Sequence, residues 1–508
     1  MSRKRRNTPV AEKRRTNTDR YSRRSRKNRF GMICLLLQTI LSLAFMAVVV
    51  LLDMLPARYL ILVGLILFFL WNITLNTQVS RKKRVMIGKV FSVVIMTFLV
   101  TGTYYIAEAN DMIGKIAGGS FKVDQMVVAV LADDPAETLE DAADYNFGVQ
   151  FARGADNMQT AVMDIEKELG VDTIEMTECD SIQEQAQMLH DGEVDAIIYN
   201  EAYTENLEEA FENYSDSVRI IYTHEIRVEL DFGGSSNITK EPFTVYISGI
   251  DVYGDISQSS RSDVNIIAVV NPQTYQVLLV TTPRDYYVEI PGVSDGIEDK
   301  LTHAGIYGID ASMSTLGELY ETDINYYVRL NFTSLIDIVD ALGGVDVYSE
   351  FEFTTSKNAG VVMDVEKGYN HFDGEEALAF SRERKNLEDG DNQRGKNQQA
   401  VITAMLKKVL SPTMLLRASG IMNEVSEGVE TNISQSQINA LIKYQLSKDA
   451  HWSIQSVAAT GTPSREYCYS SSDPLYVTIP DEENVSEIID LVNIVEEGGT
   501  LPDAEGLN

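Results

Sequence analysis

Cysteine is scarce in this chain: Cys34, Cys179 and Cys468 are the only three in 508 residues. Cys34 sits in an apolar run and the other two are far apart, so no disulfide framework is expected. The five histidines and three cysteines form no cluster with zinc spacing, which excludes a zinc-built fold. Arginine is rare in the second half, where residues 241–508 hold eight. Five of these, Arg261, Arg284, Arg382, Arg384 and Arg394, fall in short stretches rich in Asp, Gly and Gln. A planar guanidinium fork suits phosphate oxygens better than a lysine point charge. Such a set beside selected carboxylates predicts a site for a dianionic phosphate ester and a metal ion.

Positive charge is also missing from most of the chain. The formal net charge of −32 averages two opposite regions: residues 1–30 carry +11 and residues 85–508 carry −47. A body this acidic offers no basic face to a nucleic acid backbone, so specific nucleic acid binding is excluded for it. It suits a soluble region in a cationic, wall-like or secreted setting.

What the first 107 residues do contain is apolar length. Gly31–Leu52, Tyr59–Ser80 and Val90–Ala107 are uncharged runs near the roughly 20 residues that cross a hydrocarbon core. The first is too long for a signal peptide, and a second run follows at once. Thirteen basic residues precede it and Arg81-Lys82-Lys83-Arg84 follows the second, whereas the loop 53–58 has one. The positive-inside rule then puts the N-terminus in the cytoplasm and everything after about residue 108 outside. The basic tail, residues 1–30, is too polar to fold alone and serves as a topology signal, with anionic lipid as its natural contact.

Residues 120–235 read as a small α/β accessory domain. Met126–Leu131, Val171–Met176 and 195–199 have strand character; Met158–Leu169 and Ser181–His190 have helical spacing. The alternation predicts a mainly parallel sheet. The stretch from Asp180 to Tyr199 loosely resembles one lobe of a solute-binding protein. Gly233-Gly234-Ser235-Ser236 reads as a linker.

From residue 241 the pattern sharpens. Strands Phe243–Ile250, Val264–Val270 and Tyr275–Thr282 deliver Asp251, Arg261, Asp263, Arg284 and Asp285 at their ends or in adjoining loops, where ligands of open α/β sheets bind. A helix over Phe332–Leu342 stops at Gly343-Gly344. Asp373-Gly374 starts a short helix leading to Arg382 and Arg384, two apart and so on one side of an extended segment. A long helix, Asn392–Leu410, carries Arg394 and Gln398 on one face near its N-terminus, with Val401, Ala404, Met405 and Leu406 as its apolar stripe. Helices near Ser434–Leu446 and Val485–Val495 and a strand at Trp452–Ala459 complete an α/β domain ending near 497, and 498–508 reads as a disordered tail.

The ordered set "ISGID…SSRSD…TTPRDYYVEIPG…LTHAGIYG…IVDALGGVDV…FDGEEALAFSRER…GDNQRGKNQQ" closely resembles the LytR–CpsA–Psr family over about residues 243–410. Three spans and an accessory domain before the catalytic one resemble its CpsA subgroup. The resemblance implies three N-terminal transmembrane helices, a small α/β accessory domain and a larger α/β catalytic domain with a central mixed sheet. It implies a membrane-anchored phosphotransferase that moves a glycopolymer, such as capsule or wall teichoic acid, from a polyprenyl diphosphate carrier onto a peptidoglycan acceptor. Mg²⁺ would assist, with Mn²⁺ as the alternative, and capsule or wall-synthesis proteins would be partners. Asp251 and Asp263 match the family's acidic positions around the metal and diphosphate. Arg261, Arg284, Arg382, Arg384 and Arg394 match its phosphate-clasping arginines, and Gln398 its helix glutamine. Ser259 stands where the family often has Asp, Lys396 or Asn397 where it often has a second Arg, and Thr302-His303-Ala304-Gly305 at its "NHAY" segment. Charge neutralisation dominates phosphoryl transfer, so arginines and a hard cation with one or two carboxylates suffice. Asp263 or Asp285 could be the base for the acceptor hydroxyl. Helices Phe332–Leu342 and Val401–Leu410 could line an apolar groove for the polyprenyl chain. The competing expectation is a non-catalytic sensor of lipid-linked intermediates, or an indirect regulator of envelope expression.

Overall fold

The computed structural model describes residues 11–79, 84–116, 121–152, 154–211, 213–230, 237–250, 256, 259–387, 390–409, 411, 429–448, 450–471 and 473–502. The linker expected at 233–236, the loop 81–83 and Asp251 lie outside them. The chain forms two compact units, Met1–Asp111 with Asn439–Lys448, and Met112–Ile438 with Asp449–Asn508.

Three helices open the chain: α1 (Ala11–Leu51), α2 (Ala57–Val79) and α3 (Arg84–Ile116). Each contains a stretch long and apolar enough to cross a membrane: Phe30–Leu51, Ala57–Thr77 and Met86–Glu108, with mean hydropathies of 2.6, 2.0 and 1.8. Leu43, Phe68 and Phe98 point outward, as lipid-facing side chains do. Two polar pairs join the helices: Ser92 Oγ donates to Gln38 Oε1 at 2.8 Å, and Trp71 Nε1 donates to Thr39 Oγ1 at 2.9 Å. Such bonds replace water where none is available. The tail was expected not to fold alone; residues 11–29 instead continue α1. Arg and Lys are good helix formers, and the apolar run supplies the nucleus from which the helix propagates.

The accessory region comprises β1 (Phe121–Leu131), β2 (Asn146–Val149), α4 (Ala155–Leu169), β3 (Glu175–Glu178), α5 (Ile182–Asp191), β4 (Ala196–Asn200), α6 (Thr204–Ala210), α7 (Tyr214–Ser217) and β5 (Val218–Glu229). Ser181 caps α5 by accepting from Glu184 N, and Gly170 and Gly192 end α4 and α5 in the left-handed region. The sheet order is β3-β2-β4-β1-β5. It is mixed, correcting the mainly parallel expectation: β2 runs parallel to β3 and β4, but β1 is antiparallel to β4 and β5. The twelve-residue β5 was missed because Arg219, His224, Glu225 and Arg227 break its apolar run; it is an edge strand that buries no residue fully.

The larger sheet is built from β6 (Phe243–Ile250), β7 (Val264–Asn271), β8 (Gln276–Thr282), β11 (Ile324–Asn331), β16 (Val429–Thr431) and β17 (Ser453–Ala458), in the order β16-β11-β6-β7-β8-β17. Between β8 and β11 lie β9 (Tyr287–Glu289), β10 (Glu298–Lys300), α8 (Leu301–Tyr307) and α9 (Ile309–Leu319). After β11 come α10 (Phe332–Ala341), β12 (Val345–Ser349), β13 (Phe353–Thr354), β14 (Asp364–Val365), β15 (Gly368–Phe372), α11 (Gly374–Arg382) and α12 (Gly390–Val409). The last elements are α13 (Gln435–Lys448), the hairpin of β18 (Gly461–Tyr467) and β19 (Pro474–Pro480), and α14 (Glu482–Glu496). The sheet is mixed: β6 is parallel to β11 and antiparallel to β7, and β8 is parallel to β17.

Strand periodicity divides its two faces. Tyr246, Ile267, Val269, Leu278 and Val280 point into a core closed by Leu316 of α9 and Ile488 and Val492 of α14. Each such aliphatic side chain contributes about 1.5–3 kcal/mol of burial. Ile247 and Gly249, the alternate positions of β6, face the opposite side, toward α10, α11 and α12. Residues 498–502 are packed, not free as expected: Leu501 is buried, its N–H donates to Gln276 Oε1 at 2.9 Å, and Gln276 Nε2 donates to Gly499 O at 2.6 Å. One apolar residue and one glutamine anchor a stretch whose glycines and proline suggested disorder.

Candidate active site

On that second face lies a cavity of about 320 Å³. Asp263 reaches it because its N–H donates to Gly249 O at 2.8 Å, holding the start of β7 beside the end of β6. Arg284 arrives from the end of β8. Arg382 is the last residue of α11, which Asp373 and Glu376 start with a reciprocal capping box. Gly374 follows the cap, and a Cβ there would lie 2.5 Å from Ile336 O, so α11 packs this closely on α10 only with glycine. Arg394 and Gln398 come from the first turns of α12, and Gln399 Nε2 pins that helix to the sheet through Leu279 O (3.1 Å) and Val457 O (2.9 Å).

The cavity has two characters. Arg284, Arg382, Arg384, Lys385 and Arg394 line it, with Asp263 as the sole carboxylate among the described lining residues. Ile247, Leu335, Leu378, Val401 and Ile402 line it as well. Arg284 Nη1 donates to Asp263 Oδ1 at 3.0 Å, and Thr302 Oγ1 approaches the same oxygen at 3.4 Å. The Arg382 guanidinium lies 4.3 Å from the Phe332 ring centroid, a cation–π contact that orients the fork. Five cations around one carboxylate make a strong field for an anion.

Sequence reasoning passed over Glu383, which lies between the two arginines and is buried. Its carboxylate accepts from the N–H groups of Ser356, Arg384 (2.9 Å) and Asn386 (3.1 Å), folding the turn that presents Arg384. Burial pushes its pKa up, but the Ser356 and Asn386 N–H donors outweigh that and hold it below the ordinary range. The acidic residue in Ser-Arg-Glu-Arg was the available signal. Lys385, Asn331 and Ser356 also line the cavity and were not anticipated.

Two expected site residues are placed elsewhere, and a third, Asp251, lies outside the described residues. Arg261 is 7 % exposed and does not line the cavity. Its guanidinium is held by α6 of the accessory region: Nη1 donates to Glu209 Oε1 at 2.7 Å, Nε and Nη2 donate to Asn206 Oδ1 at 3.2 and 3.0 Å, and Glu205 Oε2 is 3.4 Å from Nε. Burial raises the Glu209 pKa, but the charges of Arg261 and Lys300 more than offset it, so the carboxyl sits below the ordinary range. Asp285 is also absent from the cavity lining; its carboxylate lies 3.4 Å from Lys300 Nζ and 3.7 Å from Arg284 Nε. Of the two candidate bases, Asp263 is the one that lines the cavity with the arginines. Beside this contact, Asp299 and His303 form a buried pair at 2.7 Å. Burial raises the Asp299 pKa, but the His303 charge beside it prevails and holds it low.

The three cysteines are free and buried. Burial pushes the Cys179 and Cys468 thiols up to about 11 and about 12, which makes them poor nucleophiles. Among the described residues no group of three or more His, Cys, Asp or Glu is arranged to hold a metal ion.

A curated relative from Bacillus mycoides, the polyisoprenyl-teichoic acid–peptidoglycan teichoic acid transferase TagU, is 36% identical over 199 residues, which are 39% of this chain and 62% of the relative. The protein of the same name from Enterococcus faecalis is 37% identical over 197 residues, 38% of this chain and 63% of its own length. The chain thus spans less than two thirds of the curated relatives it matches. Among solved structures, that of Bacillus subtilis TagV is 27% identical, covers 52% of this chain and 99% of that chain, and superimposes with a TM-score of 0.44. The LytR_cpsA_psr family model matches residues 207–490, more than half of the sequence and the whole of the arginine-lined cavity, and the chain belongs to that family.

Proposed function

We propose that this chain is a membrane-anchored phosphotransferase that moves a glycopolymer from a polyprenyl diphosphate carrier onto peptidoglycan. One observation carries the reading: a cluster of guanidinium groups borders an apolar lining within a single cavity. A lipid-linked diphosphate has this division, two phosphates at the end of a hydrocarbon chain. The names of the TagU relatives support a polyisoprenyl-linked polymer as donor and peptidoglycan as acceptor. The abundance of basic residues before the first span supports a cytoplasmic N-terminus and an outward-facing catalytic region.

One described residue, Asp263, has the chemistry to take a hard divalent cation. Asp263 is a cavity-lining carboxylate with 18% side-chain exposure, and Mg²⁺ commonly takes one or two carboxylates beside phosphate oxygens and water. Asp263 would hold it, with Asp251 as the second carboxylate and Mn²⁺ as a substitute; bound there, the ion would supply Lewis-acid neutralisation of the diphosphate. The arginines hold the phosphates and take up the charge that develops on them. An acceptor sugar hydroxyl attacks the polymer-side phosphorus, the bond to the polyprenyl phosphate breaks, and the hydroxyl proton passes to a carboxylate, for which Asp263 is the candidate that lines the cavity.

The test is transfer from a synthetic polyprenyl diphosphate glycan to peptidoglycan fragments by the full chain in detergent. Arg382→Ala lowers the rate about 100-fold while the thermal midpoint holds. Undiminished transfer by that variant would overturn the reading.

A further inference from the structure

A second cavity, of about 490 Å³, lies between the accessory sheet and the segment around α8. Its floor is the carboxyl edge of β2 and β4, with the first turns of α4 and α5 beside it, the place where open α/β sheets bind ligands. We propose that this cavity binds one or two rings of a neutral sugar.

The polar groups that reach it are not all spent. Gln150, at the end of β2, is 8 % exposed and lines the cavity, and its side chain makes no hydrogen bond among the described residues. Gln185 is fully buried and donates its Nε2 to Gly148 O and Ile198 O at 2.6 Å each, which leaves its Oε1 without a partner. Gln185 Oε1 lies beneath the accessible surface, so the amide open to a ligand in this cavity is that of Gln150, which no side chain or backbone group among the described residues completes.

The chemistry of the walls selects the ligand. Tyr203, Tyr307 and Tyr469 form one side, with ring centroids 6.3 and 6.5 Å apart in sequence. Aromatic faces beside amides suit a ring with an apolar face and an equatorial rim of hydroxyls. An anion is disfavoured: Asp156 occupies the first turn of α4, Asp124 lies at the wall, and Lys122 is already within 3.4 Å of Asp124 Oδ2. A metal ion is disfavoured as well. Asp124 is satisfied by Asn157 Nδ2 (2.9 Å), Ser259 Oγ (2.8 Å) and Asn200 Nδ2 (3.3 Å), and among the described residues it belongs to no group of three or more His, Cys, Asp or Glu that could hold a metal ion. A volume of this size falls in the ordinary range of small-ligand sites.

The site does not depend on the transferase reading, although a sugar-binding pocket would suit a protein that handles glycans. The experiment uses the full chain in a detergent without sugar headgroups. Glucose, N-acetylglucosamine and chitobiose are titrated, with glutamine and inorganic phosphate as competitors, by ligand-observed NMR and calorimetry. At least one sugar binds saturably below about 10 mM. Gln150→Ala, which removes the idle amide, and Ala155→Trp, which fills the exposed rim, each weaken it at least tenfold with an unchanged thermal midpoint. No saturable sugar binding, binding that ignores both variants, or preferential binding of glutamine or phosphate would each overturn the proposal. Transfer is assayed on the same preparations: a chain that transfers polymer but takes no sugar here refutes this site alone, and one that binds sugar but transfers nothing refutes the transferase alone.

Discussion

The two cavities sit at strand ends of two mixed sheets, yet they are furnished oppositely. The arginine-lined one gathers five cations and aliphatic residues; the accessory one gathers tyrosines, amides and an acid already paired with its neighbours. The same difference divides two arginines of the family pattern. Arg382 rests on the Phe332 ring and lines the phosphate-type cavity, whereas Arg261 is taken up by Glu209 and Asn206 of the accessory helix. Arg284 also meets a carboxylate, Asp263, yet stays in the cavity lining. Arg261 is reached by α6, which makes that residue a bond between regions.

That contrast can be broken at several strengths. The largest effect is expected from removing two cavity arginines together. Arg284→Ala with Arg394→Ala lowers transfer by about 100- to 1,000-fold, measured as product per minute, while Arg261→Lys lowers it far less. Equal losses would erase the distinction between the two classes of arginine. Next comes Gly305→Ala in α8: the added Cβ would lie 2.5 Å from Ser260 O and 2.9 Å from Ser262 N, so the loop bearing Arg261 must shift. Overpacking of this kind costs about 1–3 kcal/mol, readable as a lower denaturation midpoint together with slower transfer.

A smaller effect is expected at Glu209. Its side chain is 41% exposed, so solvent screens the pair and Glu209→Gln costs about 1 kcal/mol. Its pH dependence has a definite sign. Glu209 and Asp299 both have folded pKa values below the ordinary carboxylate range. Their contribution is therefore complete above about pH 4.5, the unfolded value, and is lost as pH falls toward the lower folded values. Chemical denaturation from pH 7 to 3 should show this loss, and Glu209→Gln should make it shallower; an identical slope would remove Glu209 from the account. An effect of similar size belongs to Ser259→Ala, which deletes one hydrogen bond to Asp124 and costs about 0.5–1.5 kcal/mol by the same denaturation.

Much of the arginine-lined cavity was legible in the sequence because its parts are local. Strands β6, β7 and β8 announce themselves as apolar runs, and Arg284, Arg382 and Arg394 follow a strand end, a helix end and a helix start. The helices expected to line an apolar groove do line the cavity, through Phe332, Leu335, Val401 and Ile402. What stayed hidden was set by distant partners. Glu205 and Glu209 lie more than fifty residues before Arg261 in a chain with 75 acidic residues, so nothing marked those two as its partners. Asp285 looked like a site residue until Lys300 accounted for it. β5 was hidden by its charged positions, and the order of 498–502 by the lack of any sign that Leu501 would find the core.

Asp124 draws Lys122, Asn157, Asn200 and Ser259 onto one carboxylate, so the accessory sheet and the arginine-bearing loop share a fastening besides the Arg261 contacts. Such a joint restricts how these regions can be exchanged among relatives. A chimera that imports a foreign accessory sheet would have to bring residue 124 and residue 259 as a matched couple, and a swap that changes only one would leave a carboxylate or a hydroxyl stranded at the seam.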